Sequence, residues 1–174
     1  MLRHAFLGVV VCLAYAAAVS GQEPPKPGPE HEKLKELEGT WDAVMEMGGQ
    51  ESKGKTVYKS VNGGLWLLSD HEGELAGMKF EGHGLDGYDQ TKKKYVSIWT
   101  DSMGTAPMFM EGDYDAKNKM VVFSGEMPVG EGKSVKVKST HEAKDKDHRS
   151  MKMYMVMPDN SEQLMFTINY TRRN

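Results

Sequence analysis

The chain has little cysteine and little excess charge of either sign. Cys12 is the only cysteine among the 174 residues, and it lies in a segment that we predict to be removed. A mature chain without a thiol has no disulfide, no thiolate metal site and no cysteine nucleophile. The net charge is −3, or −4 once Arg3 is removed. So mild a balance gives no electrostatic footprint for nucleic acid, and we expect no such partner.

Long hydrophobic runs are missing except at the start of the chain. Residues 1–21 read MLRHAFLGVVVCLAYAAAVSG, with a basic start, an apolar run from Ala5 to Val19 and small residues after it. This pattern is typical of a secretory signal peptide, and the run is short for a membrane span. We predict cleavage after Gly21 and an exported protein, periplasmic or secreted, with no stable membrane anchor. A retained single anchor is the alternative.

Proline is concentrated in one place. Residues 22–30, QEPPKPGPE, hold four of the seven prolines, which predicts an extended, exposed tether; a recognition role is the alternative. The next stretch, HEKLKELEG, predicts a short helix with Leu34 and Leu37 on one side and Gly39 as its stop. We assign residues 31–174 to a single domain, which at this length buries about 70% of its unfolded surface.

A sustained helical period is absent from Thr40 onward. Segments of six to ten residues alternate with turn-forming stretches, which predicts about ten strands. Short connections favour an antiparallel meander, and closure into a β-barrel removes the exposed edges. The predicted fold is therefore all-β, a barrel preceded by a short helix. The turn-forming stretches are 47–50, 62–64, 71–77, 89–93, 101–105, 115–119, 129–133, 144–147 and 158–161.

Alternation of apolar and polar residues predicts which side chains face inward. The phase is ambiguous for residues 56–61 and 65–72, where both faces carry apolar groups. The predicted inward sets are Trp41, Ala43, Met45 and Met47; Met78 and Phe80; Met108, Met110 and Tyr114; Val135, Val137 and His141; and Leu164, Phe166, Ile168 and Tyr170.

Residues 37–42, LEGTWD, resemble the entry of lipocalin-like barrels. In that superfamily a Trp after a Gly plugs the closed end of the barrel, and a late Arg often packs over it. The resemblance implies that Trp41 is the plug, that Gly39 lets the chain turn into the first strand, and that Arg172 or Arg173 covers the ring.

Three longer stretches, PGPEHEKLKELEGTW, FEGHGLDGYDQTKKKYVSIWTDSM and MEGDYDAKNK, resemble domain of unknown function 1579. Members of this bacterial family are often exported, and the similarity runs from about Pro27 to Arg172. The resemblance implies a calycin-type barrel, and it assigns no activity. A count of ten strands is nearer to fatty-acid-binding and nitrobindin-like barrels, which are neighbours by architecture alone.

Catalytic signatures are missing. None of the three His-Glu pairs continues to a second histidine four residues on, and there is no Gly-x-Ser-x-Gly elbow, phosphate loop or dinucleotide fingerprint. We assign no catalytic residue and no metal ligand, and we expect no catalysis.

His141 is the candidate for chemistry inside the barrel. Arg149 is in phase with the nearby methionines, so both side chains are predicted to point inward at one end. Together they are suited to a carboxylate or a haem propionate, unless both lie in solvent at the rim. An axial haem ligand would be His141, with His71 second. Otherwise we expect no cofactor.

Residues 95–101, YVSIWTD, place Tyr95 and Trp99 on one face with Ser97 and Asp101. If that face is inward, it forms an aromatic wall with a few polar groups, as small-molecule sites have. If it is outward, Trp99 is a surface residue.

Methionine is abundant, and MKMYMVMP places it at every second position: Met151, Met153, Met155 and Met157. These four residues span about 20 Å along a strand, so at most two could share one ion. Core filling, the lining of a ligand cavity and a copper(I) site with partners such as Met108 and Met110 all remain open.

The predicted function is a monomeric barrel that binds a small apolar or amphipathic molecule. The alternatives are a haem protein or enzyme of nitrobindin type, and a packed structural or interaction module of the cell envelope. The residues assigned to the ligand are Tyr95, Trp99, Met108, Met110, His141, Arg149, Met151, Met153 and Met155.

Overall fold

The computed structural model describes residues 23–173, so the predicted signal peptide lies outside the described residues. Ten strands follow one short helix, which confirms the all-β prediction. The elements are α1 (Pro29–Lys35), β1 (Gly39–Met47), β2 (Gln50–Val61), β3 (Trp66–Leu75), β4 (Met78–Asp89), β5 (Lys94–Asp101), β6 (Met108–Asp115), β7 (Met120–Gly130), β8 (Lys133–Ala143), β9 (His148–Val156) and β10 (Glu162–Arg172), with a 3-10 turn at Asn62–Gly64 between β2 and β3.

The strands form a closed antiparallel meander. Each strand pairs with its neighbours in sequence, and β1 pairs with β10 as well as with β2, which closes the barrel. At the closing seam Trp41 lies opposite Arg172 and Met45 opposite Ile168. Closure satisfies the backbone groups of both outer strands and leaves the barrel of residues 39–172 without a free sheet edge. None of the helices within residues 23–173 has the length and apolar character needed to cross a membrane.

Helix α1 begins inside the segment that the sequence predicted to be an extended tether. Pro29 occupies the start of the helix, where its fixed φ is favourable and its missing N–H costs nothing. The Gly28 N–H donates to Nδ1 of His31 at 3.0 Å. His31 and Leu34 are buried, so one side of the helix faces inward and holds it in place. The tether prediction is therefore wrong at its C-terminal end.

Strand β3 is longer than predicted. Residues 71–77 were expected to be a turn, but the strand continues to Leu75 and the turn is Ala76 and Gly77, with φ of 52° and 78°. The glycine that suggested a loop, Gly73, instead pairs with Gly54 in mid-strand. The ring of His71 lies over this pair, because a Cβ atom at Gly54 would be 2.8 Å from it.

The inward face of β10 begins later than alternation predicted. The register shifts between Leu164 and Phe166, so Leu164 lies opposite Tyr154 whereas Phe166 lies opposite Met153. This β-bulge at Met165 adds one residue and reverses the phase N-terminal to it. Leu164 is consequently 52% exposed, and its predicted inward position is wrong.

Trp41 closes one end of the barrel. It is fully buried, and its indole Nε1 donates to the Leu37 carbonyl at 2.7 Å. Of the two candidate arginines, Arg172 lies over the ring, with its guanidinium carbon 4.1 Å from the ring centroid. Arg172 also donates to the carbonyls of Glu36 and Glu38, which ties the last strand to the segment after α1.

Candidate functional site

A cavity of about 390 Å³ occupies the barrel interior. Its lining reaches the turns that follow β1, β3, β5 and β7, at the end of the barrel opposite α1. The thioethers of the inward methionines therefore line this cavity instead of filling it. The methionines in the lining are Met45, Met47, Met103, Met108, Met110, Met127, Met151 and Met153.

The MKMYMVMP stretch is divided between three environments. Met151 and Met153 line the cavity. Met155 pairs with Val137 on β8 but does not contribute to the lining. Met157 lies beyond the end of β9 and is 37% exposed. The structure thus brings two of these four residues together with Met108 and Met110 from β6.

Three of the residues assigned to the ligand lie outside the cavity lining. Tyr95 is 2% exposed and packs edge-on against Tyr88, with ring centroids 5.1 Å apart. Met155 pairs with Val137 on β8, and Arg149 lies at the closed end of the barrel near Trp41. The other six assigned residues line the cavity: Trp99, Met108, Met110, His141, Met151 and Met153.

Arg149 does not meet His141, because it sits one inward position nearer the closed end. Met151 is the residue opposite His141, whereas Arg149 lies opposite Ala143. The Arg149 guanidinium approaches Glu36 at 3.5 Å and the Trp41 ring at 5.7 Å. The predicted Arg–His pair is therefore not formed.

Trp99 lies inside the barrel, on the backbone of the neighbouring strand. A Cβ atom at Gly82 would be 2.3 Å from the indole ring, and one at Gly84 would be 3.3 Å from it. The two glycines make room for the ring against β4. The indole Nε1 donates to Asp101 at 2.9 Å. Of the two interpretations of residues 95–101, the structure therefore has the inward one.

Two histidines line opposite walls of the cavity. His141 Nε2 is 3.0 Å from the Ser139 hydroxyl, and Phe123 packs edge-on at 5.1 Å. Its depth in the barrel lowers its pKa to about 4, although much of the ring surface is bare toward the cavity. His71 Nδ1 is 2.8 Å from the Thr56 hydroxyl, and desolvation also lowers its pKa. Both imidazoles are therefore neutral at neutral pH.

Sequence reasoning placed Tyr170 inward but missed the polar group that it forms with Asp86 and Tyr58 deep in the cavity. All three residues line the space. Burial raises the pKa of Asp86 to about 6, against the opposing hydrogen bond from Ser97, and raises that of Tyr170 to about 12. Alternation from Phe80 points Asp86 inward, but the predicted inward set of this strand ended at Phe80.

Metal ligation is not suggested by the described side chains. Within residues 23–173 no group of three or more His, Cys, Asp or Glu is arranged to hold an ion. The donors inside the cavity are spread around its wall, since His71 lies on β3 and His141 on β8.

Replacing Asp86 by Asn is expected to raise the free energy of unfolding by about 1–2 kcal/mol at about pH 7.5. One pKa unit corresponds to about 1.4 kcal/mol, and the rise to about 6 is discounted because the cavity admits water. Because folded Asp86 keeps its proton to a higher pH than unfolded Asp86, its penalty is present above the folded pKa. The penalty fades as the pH falls toward the unfolded value. Urea unfolding should show the gain at about pH 7.5 and none at about pH 4; an equal gain at both would contradict this.

The fold and the cavity define a calycin-like barrel. The chain belongs to the family described as protein of unknown function (DUF1579), which matches residues 26–172. None of the curated proteins compared with the chain matches it.

Two solved structures show the same architecture. The crystal structure of Rv2717c from M. tuberculosis has a TM-score of 0.61 at 13% identity, covering 84% of this chain and 99% of that one. The S-type phycobiliprotein lyase CPES from Guillardia theta has a TM-score of 0.56 at 9% identity, covering 83% and 93%. At such identities the likeness concerns the fold alone.

Proposed function

We propose that the barrel binds one small amphipathic molecule in its cavity and does not transform it. The observation that carries this proposal is the cavity of about 390 Å³, which reaches the open end of the barrel. Its size lies within the usual range for small-molecule sites. Methionine side chains are flexible and polarizable, so they fit an apolar body of irregular shape.

The polar groups of the cavity support an amphipathic ligand over a purely apolar one. Asp86, Tyr58 and Tyr170 lie together, and His71 and His141 lie on the walls. A few placed polar groups in an apolar pocket orient a ligand.

We further propose that the protein is an exported monomer. The pattern of residues 1–21 supports export. The absence of a free strand edge in the described barrel supports a monomer.

Plugging the mouth should abolish binding. Gly104 lines the cavity, and a Cβ atom placed there meets no other atom closer than 4.0 Å. Gly104→Trp is therefore expected to fold normally while its indole occupies the mouth. With Nile red as a neutral apolar probe, fluorescence titration should give an affinity at least about tenfold weaker than that of the unchanged protein.

Thr105→Trp is the matched control, because Thr105 is the exposed neighbour of Gly104 and does not line the cavity. Its Nile red affinity should equal that of the unchanged protein. If both variants bind Nile red as tightly as the unchanged protein, the probe binds elsewhere and the proposal fails. Native mass spectrometry of protein purified from its own host then identifies a co-purifying molecule.

Haem binding is the second candidate, and the bare, neutral imidazole of His141 is the observation that favours it. The residues fit a haem only in part. His141 offers an axial nitrogen, but Arg149, which was expected to hold a propionate, pairs with Glu36 outside the cavity lining. Haemin added to the purified protein should shift its Soret band if this candidate is right, and His141→Ala should remove the shift.

A further inference from the structure

The charged side chains that point into the cavity are negative. Asp86 and Asp101 belong to the inward faces of β4 and β5, with Gly84 and Trp99. The other charged residues among the described lining residues are Lys53 and Glu74, at the mouth. Both adjoin the paired glycines Gly54 and Gly73, so they are out of phase with the inward residues of β2 and β3. Among the described lining residues, the inward charged side chains are thus both carboxylates.

No other described group in the lining supplies a positive charge at neutral pH. Desolvation inside the barrel lowers the pKa of His141 to about 4 and also lowers that of His71. Arg149 lies outside the lining and pairs with Glu36. The carboxylate of Asp86 therefore faces the cavity without a cationic side chain beside it, and a hydrogen bond from Ser97 is what opposes the rise of its pKa.

Asp86 lies deep in the cavity. Asp101, near the mouth, is opposite Gly82, and Asp86 is four residues further along β4. Four residues of antiparallel strand correspond to about 13 Å. The wall between these two levels includes Trp99, which lies opposite Gly84, and Met108, which lies opposite Trp99. A molecule whose polar end reached Asp86 would thus lie with an apolar body along thioethers and an indole.

We infer that the ligand is a cationic amphiphile, a protonated amine whose ammonium group pairs with Asp86 and whose apolar chain extends toward the mouth. The inference rests on the proposed function and names its ligand class. An ammonium–carboxylate contact in a low-dielectric cavity is a strong charge-assisted hydrogen bond. Tyr58 and Tyr170 line the cavity near Asp86 and add aromatic surface there, which favours a cation further.

Three probes of equal chain length distinguish the contribution of the headgroup to the affinity from that of the chain: dodecylammonium, dodecanol and dodecanoate. Calorimetric titration at about pH 7.5 should rank them in that order, with dodecylammonium at least about tenfold tighter than dodecanoate. Asp86→Asn is the matched variant. It should weaken dodecylammonium about tenfold to a hundredfold and leave dodecanol unchanged within about twofold.

The pH dependence gives a second, independent measurement. The titratable groups beside Asp86 are Tyr58 on β2 and Tyr170 on β10, and β5 adds the Ser97 hydroxyl. Lowering the pH through about 6 protonates Asp86, so the affinity for dodecylammonium should fall in the unchanged protein and stay level in Asp86→Asn.

The outcomes distinguish this inference from the proposed function. The inference of a cationic ligand is wrong if dodecanoate binds as tightly as dodecylammonium or more tightly. It is also wrong if Asp86→Asn leaves the dodecylammonium affinity unchanged. Either result leaves the proposed binding function of the cavity intact. If none of the three probes binds, and Gly104→Trp has no effect on Nile red, the binding function itself fails.

Discussion

Replacing Trp41 by Ala should destabilise the protein by about 3–5 kcal/mol, the usual cost of removing a fully buried aromatic side chain. Trp41 is 0% exposed. Its loss would open a hole in the closed end, leave the Leu37 carbonyl without its donor and remove the surface on which Arg172 packs. Collapse of the surroundings is restricted, because Arg172 is held by the carbonyls of Glu36 and Glu38.

Urea unfolding followed by far-ultraviolet circular dichroism measures this loss as a lower midpoint at an unchanged slope. Trp41→Phe is the matched control, since it keeps an aromatic plug but removes the indole donor. It should lose less than half as much stability as Trp41→Ala. A Trp41→Ala variant that unfolds at the urea concentration of the unchanged protein would show that the plug does not stabilise the barrel.

Replacing Gly125 by Ala should cost about 2–3 kcal/mol, although it adds a single methyl group. A Cβ atom at Gly125 would lie 2.3 Å from the Phe109 carbonyl oxygen and 3.2 Å from Met110 Cα. Both are backbone atoms of β6, so no rotation of a side chain relieves the overlap. The strands β6 and β7 would have to separate, which weakens the hydrogen bonds between them.

Gly104→Ala is the control for Gly125→Ala, because it adds the same methyl group where the nearest atom is 4.0 Å away. Thermal unfolding should show a clear fall in melting temperature for the Gly125 variant and almost none for the Gly104 variant. Equal melting temperatures would mean that the two strands adjust without cost.

The strands and their order were predictable because their signals are local. Alternation sets the period of each strand, and turn residues such as Gly48, Gly49 and Gly77, all with positive φ, mark the hairpins. In a meander each local hairpin also fixes the next neighbour, so the topology followed from the turns. The plug, Trp41, was predicted from its resemblance to a known barrel entry.

What could not be predicted depends on contacts between strands. The bulge at Met165 leaves no mark in alternation, so Leu164 was assigned to the wrong face. Arg149 is inward by phase, but its distance from His141 depends on the register between β8 and β9. Asp86 was missed because the glycines of GHGLDG carry no apolar side chain that extends the inward pattern beyond Phe80, whereas in the barrel they make room for neighbouring rings.

The seam between β1 and β10 has a consequence for how the protein folds. Nine of the ten strand pairings join consecutive strands, but this one joins residues about 130 positions apart, such as Trp41 and Arg172. Because of its long sequence separation, this one pairing contributes a disproportionate share of the contact order, and its loop-closure entropy opposes early formation. We therefore expect the hairpins to form first and the seam to form in the rate-limiting step, so substitutions at the seam should slow refolding more than equally destabilising ones in β6 and β7.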